Sequence, residues 1–449
     1  MFHFIRSKTK LTPATSAAHE KKRNPLIPTN DRIYAKYWIE TAYPLDQAAA
    51  TMAGEQSTGT FLRVPGETDE LREIYAATVE SIDEQSPAPA PSIPGSGTPR
   101  DWDGLRRTAE VVLSWPLHNI GPSLPNLLAT VAGNLSELKA FSGLKLLDLI
   151  LPPAFLDIYQ GPQFGVPGTR AFTGVHDRPL IGTIIKPSLG MSPEATAAQV
   201  KVLAEAGIDF IKDDELQTDA AHCPFEARVT AVQRVLNNHR DRTGKRVMYA
   251  ANLTGEIDQM LSRHDHVLSC EGTCIMVSMN SIGLPAMKVL RAHSQLVIHG
   301  HRNGWGMLGR SPATGMSFVA FQKLWRVAGI DHTHVNGLRN KFCESDESVL
   351  ASARACLTPM FPPPAAGCEI MPVFSSGQSA RQAPDTYKAL GTTDLIYACG
   401  GGILGHSMGV AAGVRSLQQA WEAAIQDIPL ATYADTHPEL KAALETFGA

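Results

Sequence analysis

Two lysines and a run of acidic residues stand where short apolar stretches end. Lys186 closes the run LIGTIIK (Leu180–Lys186), and Lys212 opens the cluster Lys212-Asp213-Asp214-Glu215. Lys212 and Asp214 are two apart, so they share a face if the strand persists. Glu215 follows at the turn. Two carboxylates offer hard oxygen ligands to Mg²⁺, which favours octahedral geometry and keeps some waters. A third protein ligand is missing unless Lys212 supplies one. An ammonium cannot ligate, but an amine that has added CO2 carries an anionic carbamate oxygen. A structural Lys–Asp ion pair is the competing reading, and the charge pattern alone accommodates both. Lys186, at the end of an apolar strand, is expected to be desolvated. Near a cation its pKa falls, and a neutral amine serves as general base. The alternative is a head group that reaches solvent past the rim.

Further polar residues follow other apolar runs. His299-Gly300-His301-Arg302 ends one, His332 and His334 lie within another, and Ser375-Ser376-Gly377 and Gly400-Gly401-Gly402 end two more. His301 suits acid/base work and Arg302 anion binding. Arg302 and His334 suit one anionic end of a substrate. The glycines let backbone N–H groups approach phosphate oxygens, although a bare GGG is also a tight turn. Any one histidine alone is more often structural than catalytic.

The elements that position these residues form a regular series. From about Pro179, short apolar strands alternate with helices of ten or more residues. The strands are read at Leu180–Lys186, Ile208–Lys212, Val247–Ala251, Thr273–Val277, Gln295–Gly300, Asp331–Val335, Glu369–Phe374 and Asp394–Ala398. Helical patterns between them include Pro193–Ala206, Phe225–Arg240, Leu284–His293, Phe318–Val327, Asp346–Cys356, Ala383–Leu390 and Val410–Ile425. Ser192 before Pro193 is a good helix start. This is the arithmetic of a (β/α)₈ barrel, whose site lies at the C-terminal strand ends. A doubly wound sheet is the runner-up, without a GxGxxG opening to support it. The polar clusters fall where the barrel requires.

The preceding part reads as an α+β domain over residues 31–165, with the barrel at 166–449. Arg32–Glu40 and Arg107–Ser114 alternate like strands, while Leu45–Glu55 and Leu124–Ala132 look helical. Ser86–Pro99 is proline- and glycine-rich and reads as an exposed connection. Residues 1–30 form a basic tail with no apolar core of signal-peptide length.

Composition narrows the function. The 449 residues carry 40 Lys plus Arg against 44 Asp plus Glu, a net charge of −4. That balance argues against a nucleic-acid binder. No run of about 18 apolar residues predicts a membrane helix. The seven cysteines form no CxxC pair, so reduced thiols in a cytoplasmic protein are expected.

Together, GTIIKP (Gly182–Pro187), GIDFIKDDE (Gly207–Glu215), MPVFSSG (Met371–Gly377) and GGGILGH (Gly400–His406), with EQSTGT (Glu55–Thr60) and AGN (Ala132–Asn134), are specific. From about Tyr34 to the C-terminus the chain resembles the ribulose-bisphosphate carboxylase large-chain (RuBisCO) superfamily. The resemblance implies an α+β domain packed on a (β/α)₈ barrel, and a head-to-tail homodimer. In that dimer Glu55, Thr60 and Asn134 complete the partner's active site. It implies Lys212 as a carbamylated lysine that binds Mg²⁺ with Asp214 and Glu215. Lys186 becomes the enolising base and His301 its acid/base neighbour. Arg302, His334 and Ser375 become one phosphate site, and Thr60, Gly377, Gly400 and Gly401 the other. Lys341 falls at the lysine of the closing loop, and Asp213 points away.

The departures matter equally. Carboxylases carry Lys-Pro-Lys where this chain has Lys186-Pro187-Ser188, and their loop reads roughly GTVVGKLEG where this chain has NGLRNKFCE (Asn336–Glu344). The chain therefore resembles a RuBisCO-like protein of form IV, with the motif GHSMGVAAGVRSLQQAWEA (Gly405–Ala423) in accord. The expected reaction is enediolate formation on a phosphorylated keto sugar or 3-oxo sugar acid. Decarboxylation or C–C cleavage in apionate-type breakdown is preferred, because the site is polar throughout. Alternatives are an enolase or isomerase acting on methylthioribulose-type phosphates, a true carboxylase, and a non-catalytic binding protein.

Overall fold

The computed structural model describes residues 28–59 and 64–447. Thr60 and residues 1–27 of the basic tail lie outside the described residues. Four strands open the chain: β1 (Arg32–Thr41), β2 (Thr78–Ala88), β3 (Arg106–Pro116) and β4 (Phe141–Ile150). β1 pairs antiparallel with both β3 and β4, and β2 flanks β3 at the edge. Alternation builds the core of this layer. Ile33, Ala35, Tyr37 and Ile39 stand opposite Trp115, Leu113, Val111 and Ala109, and all eight are fully buried. The helix Leu45–Glu55 lays Ala48, Ala49 and Met52 into the same core cluster. Truncating Trp115 to alanine there would cost about 3–5 kcal/mol.

The second part is a closed barrel. Its strands in chain order are β5 (Leu180–Ile184), β6 (Phe210–Lys212), β7 (Met248–Asn252), β8 (Cys274–Ser278) and β9 (Val297–His301). After β10 (Thr314–Met316), which lies outside it, come β11 (His332–His334), β12 (Met371–Phe374) and β13 (Ile396–Ala398). All eight barrel strands pair in parallel, and β13 closes on β5. Both faces of each strand are buried, which explains their near-continuous apolar runs. Leu180, Phe210, Met248, Met276, Val297 and Val373 fill the interior. Ile181, Ile211, Tyr249, Ile275 and Ile298 pack outward under the helices. Ser192 caps the helix Pro193–Glu205 by accepting the Ala195 N–H.

β10 leaves the barrel's segment of the chain and pairs parallel with β4, so the first sheet has the order β10-β4-β1-β3-β2. Lys145 of β4 donates to the Gly309 and Ser311 carbonyls at 3.1 and 2.6 Å, tying the two parts together.

Several elements escaped the sequence reading, and three of them show why. β2 is an exposed edge strand with a polar sequence, and it runs into the segment read as a connection. β4 carries Gly143, whose absent side chain makes room for the Trp38 ring. The helix Ile257–Ser269 is polar but has a capping box, Glu256 with Gln259. Conversely, the helix start expected at Leu284 is set by Gly283, whose φ of 74° breaks the preceding turn.

Candidate active site

The C-terminal strand ends gather the residues singled out above. Lys212, the last residue of β6, is 1% exposed and donates to the Asp213 carbonyl at 2.7 Å. Its Nζ lies 3.5 Å from Glu215 Oε2. Burial lowers its pKa, against the opposing pull of Glu215, Asp214 and Asp213. Asp214 accepts from Lys186 Nζ at 2.5 Å and from Ser188 Oγ at 3.0 Å. Burial alone would raise its carboxyl, but Lys186, the Leu216 N–H and Lys212 together hold it below the ordinary carboxylate value.

Asp213 turns the other way. It accepts from Arg228 Nη2 at 3.1 Å, Tyr249 Oη at 2.5 Å and the Asn252 N–H at 2.9 Å, all buried. Asn252 Nδ2 in turn donates to the Asp214 and Glu215 carbonyls, at 3.3 Å each. The acidic turn is thus held from behind by β7.

Lys186 departs from the expectation. Its side chain is 45% exposed and salt-bridged to Asp214, so it is not desolvated. Ser188, which stands where carboxylases carry a second lysine, bridges Lys186 Nζ at 2.8 Å and Asp214. The sequence marked Ser188 only as a departure.

His301 Nε2 lies 3.4 Å from Glu215 Oε2. Its Nδ1 lies 3.1 Å from the Asn303 backbone nitrogen and 3.2 Å from Asn303 Oδ1, so Asn303 holds this edge of the ring. Burial, then the charge of Lys212, pushes this imidazole down to about 4, so it is neutral at pH 7. Below it runs a column of buried histidines. His334 Nε2 meets His299 Nε2 at 2.9 Å, and His334 Nδ1 meets Ser375 Oγ at 2.8 Å. His332 reaches Thr169 at 2.7 Å on the helix that plugs the barrel bottom. His299 Nδ1 finds no partner among the described residues.

Arg302 is buried, stacked over Phe318 at 4.4 Å and paired with Glu344. Gly377 adopts a φ of +93°. A Cβ on Gly401 would meet nothing within 4 Å, and one on Gly400 only Ile184 at 3.9 Å. Packing therefore does not demand glycine at these two positions, whereas a Cβ on Gly402 would lie 2.7 Å from the Gln378 carbonyl.

Three expected residues stand apart. Lys341 is exposed. Its backbone donates to the Ser376 carbonyl at 3.0 Å, while its Nζ lies over the Phe342 ring. Glu55 and Asn134 are exposed on the amino-terminal part, and among the described residues neither hydrogen-bonds to the barrel cluster. Glu344, Ser188, Asn303 and His299 were not foreseen as site residues. Ser188 and Glu344 carried a signal only within departures from the carboxylase motifs, and His299 within the motif HGHR; Asn303 carried none.

A second donor cluster, His264, Asp265 and His293, lies on the barrel's flank. His264 Nε2 already accepts the Gln295 N–H at 3.3 Å and Nδ1 faces Asp265 at 2.9 Å, so the ring is committed within the protein.

Comparison with known proteins accords with this architecture. Residues 165–447 match the ribulose bisphosphate carboxylase large chain catalytic domain, and residues 22–155 its N-terminal domain. The chain belongs to the RuBisCO large-chain family, and within it to the RuBisCO-like proteins. It is 53% identical over 416 residues to the 3-oxo-isoapionate-4-phosphate transcarboxylase/hydrolase of Xanthobacter autotrophicus, covering 92% of this chain and 99% of that one. It is 46% identical over 413 residues to the 3-oxo-isoapionate-4-phosphate decarboxylase of Rhizobium rhizogenes, covering 92% and 97%. The crystal structure of a rubisco-like protein from Burkholderia fungorum superposes with a TM-score of 0.85 at 45% identity, covering 92% and 99%. Among the described residues no helix is long and apolar enough to cross a membrane.

Proposed function

We propose that this chain is a Mg²⁺-dependent enzyme acting on 3-oxo-isoapionate-4-phosphate, or a close 3-oxo sugar-acid phosphate, by loss or transfer of its carboxyl group. The observation that carries this reading is the similarity, over 92% of the chain, to proteins named for that substrate. The polar mouth supports it over a methylthio substrate, whose apolar end would find Lys186, Asp214, Glu215, His301 and Arg302.

Lys212, Asp214 and Glu215 fit a hard cation once Lys212 is carbamylated. Burial favours the neutral amine of Lys212, and that is the form that adds CO2. Asp214 and Glu215 then complete a set of oxygen donors. Bound there, Mg²⁺ supplies positive charge against the oxygen that becomes negative as the C–C bond to the carboxyl carbon breaks.

The chain's own residues do the rest. Lys186 Nζ, aimed by Asp214 and Ser188, delivers a proton to the carbon that has lost its carboxyl group. His301, neutral and held through Nδ1 by Asn303, turns Nε2 to a substrate oxygen as hydrogen-bond partner. Gly377, Gly400 and Gly401, with Thr60 of the partner copy, receive the phosphate. Lys341 acts from the loop after β11 when that loop closes. Glu55 and Asn134, exposed here, serve the barrel mouth of a partner copy in a homodimer.

The test is ¹³C and ³¹P NMR with substrate labelled at the carboxyl carbon, in Mg²⁺ and bicarbonate. Labelled bicarbonate and one new phosphate ester mean decarboxylation. Label retained in a second carboxylated product means transcarboxylation with hydrolysis. No change in either spectrum with a folded protein refutes the substrate assignment.

A further inference from the structure

Arg302 sits in the pocket with His334 and Ser375, at the ends of β9, β11 and β12, and a buried guanidinium there is a ready anion site. In this chain an anion already occupies part of it. Glu344, eight residues after Asn336 on the loop that follows β11, places Oε2 on Arg302 Nη2. That oxygen also accepts from Asn336 Nδ2 at 2.7 Å, and Oε1 accepts from Ser348 Oγ at 2.9 Å. Asn340 Nδ2 holds the Glu344 carbonyl at 3.1 Å. Both partners are largely dry, with side chains 9% and 14% exposed. Arg302 Nη1 is buried and has no partner among the described residues. One N–H edge of the fork is thus spent on Glu344 while the other is left for a ligand.

We propose that Glu344 is a specificity-determining residue: it cancels the charge of Arg302, so that this pocket takes an uncharged, hydroxyl-bearing end of the substrate and rejects a second phosphate. The inference rests on the reading of the barrel mouth as the substrate site. A dianionic phosphate placed beside Arg302 would either lie against the Glu344 carboxylate or have to expel it from three donors. Like charges brought together at a desolvated site are costly. A hydroxyl oxygen accepts from Nη1 and leaves the Glu344 contacts intact. The substrate therefore carries its one phosphate at the glycine-lined side, where among the described residues no acidic side chain lies within 4 Å of a Cβ built on Gly400 or Gly401.

The test uses binding rather than turnover, so that it stands apart from the identity of the true substrate. The full-length protein, with Mg²⁺ and bicarbonate, is titrated calorimetrically with xylitol 5-phosphate and xylitol 1,5-bisphosphate, which lack the reactive carbonyl. The wild type is expected to bind the monophosphate on the order of tenfold or more tightly than the bisphosphate. Glu344→Gln, which keeps the hydrogen-bonding shape, is expected to shift preference toward the bisphosphate on the order of tenfold or more. Glu344→Asp, which keeps the charge, retains the wild-type ratio. A wild type that binds the bisphosphate as tightly as the monophosphate, or more tightly, overturns the proposal. So does an unchanged ratio in a folded Glu344→Gln protein, or no binding of either probe to wild type with no gain in that variant.

Discussion

Arg228→Met probes the support behind the acidic turn. Arg228 and Asp213 are fully buried, and the guanidinium gives Asp213 two hydrogen bonds, Nη2 at 3.1 Å and Nε at 3.3 Å. It also donates to the Thr218 and Cys223 carbonyls at 2.8 and 3.1 Å. Methionine fills much of the volume but leaves Asp213 with only Tyr249 and the Asn252 N–H. An orphaned buried charge costs about 3–5 kcal/mol. At roughly 2–4 °C per kcal/mol for a large domain, the melting temperature should fall by about 6–20 °C. Asp213 lies between Lys212 and Asp214, and it anchors Asn252, which holds the Asp214 and Glu215 carbonyls. A shift of about 1 Å there should lower kcat on the order of a hundredfold. The second arm is the double variant Arg228→Met with Asp213→Asn. Asparagine still accepts from Tyr249 and Asn252 but is neutral, so at least about 2 kcal/mol of the loss should return. Differential scanning calorimetry at one scan rate reads both arms. A loss under about 1 kcal/mol, or a double variant that is simply the sum of its parts, would refute the argument that the buried pair holds the turn.

Other outcomes follow from the same geometry. Lys212→Met should abolish turnover yet lower the melting temperature far less than Arg228→Met, since Glu215, the acid it leaves, is one-third exposed; a thermal melt beside the NMR assay checks both halves. His299→Phe should raise KM about fivefold with kcat nearly unchanged. An unprotonated Nδ1 is the less costly orphan, so His299 donates through Nε2 to His334, which donates through Nδ1 to Ser375. That chain frees the Ser375 hydroxyl proton for the ligand, and its loss is worth about one hydrogen bond. Asp209→Asn addresses acid stability. Burial alone would raise the Asp209 carboxyl, but Arg178 at 2.5 Å, with Lys245, outweighs it and leaves the carboxyl below its ordinary value. A depressed folded-state pKa contributes stability above the unfolded value of about 4, and that contribution fades as pH falls through the folded one. The urea midpoint of Asp209→Asn should therefore trail wild type at pH 7 and converge with it in acid; a constant gap would count against the linkage.

The barrel was legible because its strands are buried on both faces and read as plain apolar runs. Lys212, Asp214, Glu215, His301, Arg302, His334, Ser375 and the glycines were legible because their types interrupt those runs at the ends. Sequence spacing could not show what each faces. Asp213 and Asp214 are adjacent and chemically alike, yet one is walled in by Arg228 and Tyr249 while the other meets Lys186. Lys186 reads as an apolar strand end, but its head group lies half exposed because the strand stops at Ile184. Glu344 is legible only as a loop residue, because its pairing with Arg302 spans 42 positions and leaves no local trace. β2 was hidden for the opposite reason: an exposed edge has no apolar face to announce it.

The acids around the barrel divide by how completely their oxygens are satisfied. At the N-terminal end, Asp331 accepts from the N–H groups of Phe164, Gly165 and Ile298 and from Arg291, at 2.7 to 3.2 Å. Asp209 accepts from Arg178, Lys245 and the Ile181 N–H. These carboxylates are closed: every donor comes from a fixed backbone group or a paired cation, so their business is to hold strands to helices. Asp213 belongs with them, with the buried Tyr249 hydroxyl as a further fixed donor, although it stands at the C-terminal end of the strands. Asp214 and Glu215 differ in kind. Their cationic neighbours are Lys186, half exposed, and Lys212, buried with Glu215 at only 3.5 Å. Glu215 itself is one-third exposed. Such partners can be exchanged without tearing a strand from the sheet. An incoming cation or substrate can therefore displace them at low cost, whereas the same event at Asp213 or Asp331 would cost several kcal/mol of fold stability. The capacity to give up a partner, more than acidity or position along the chain, separates the two acids suited to chemistry from the three that hold the barrel.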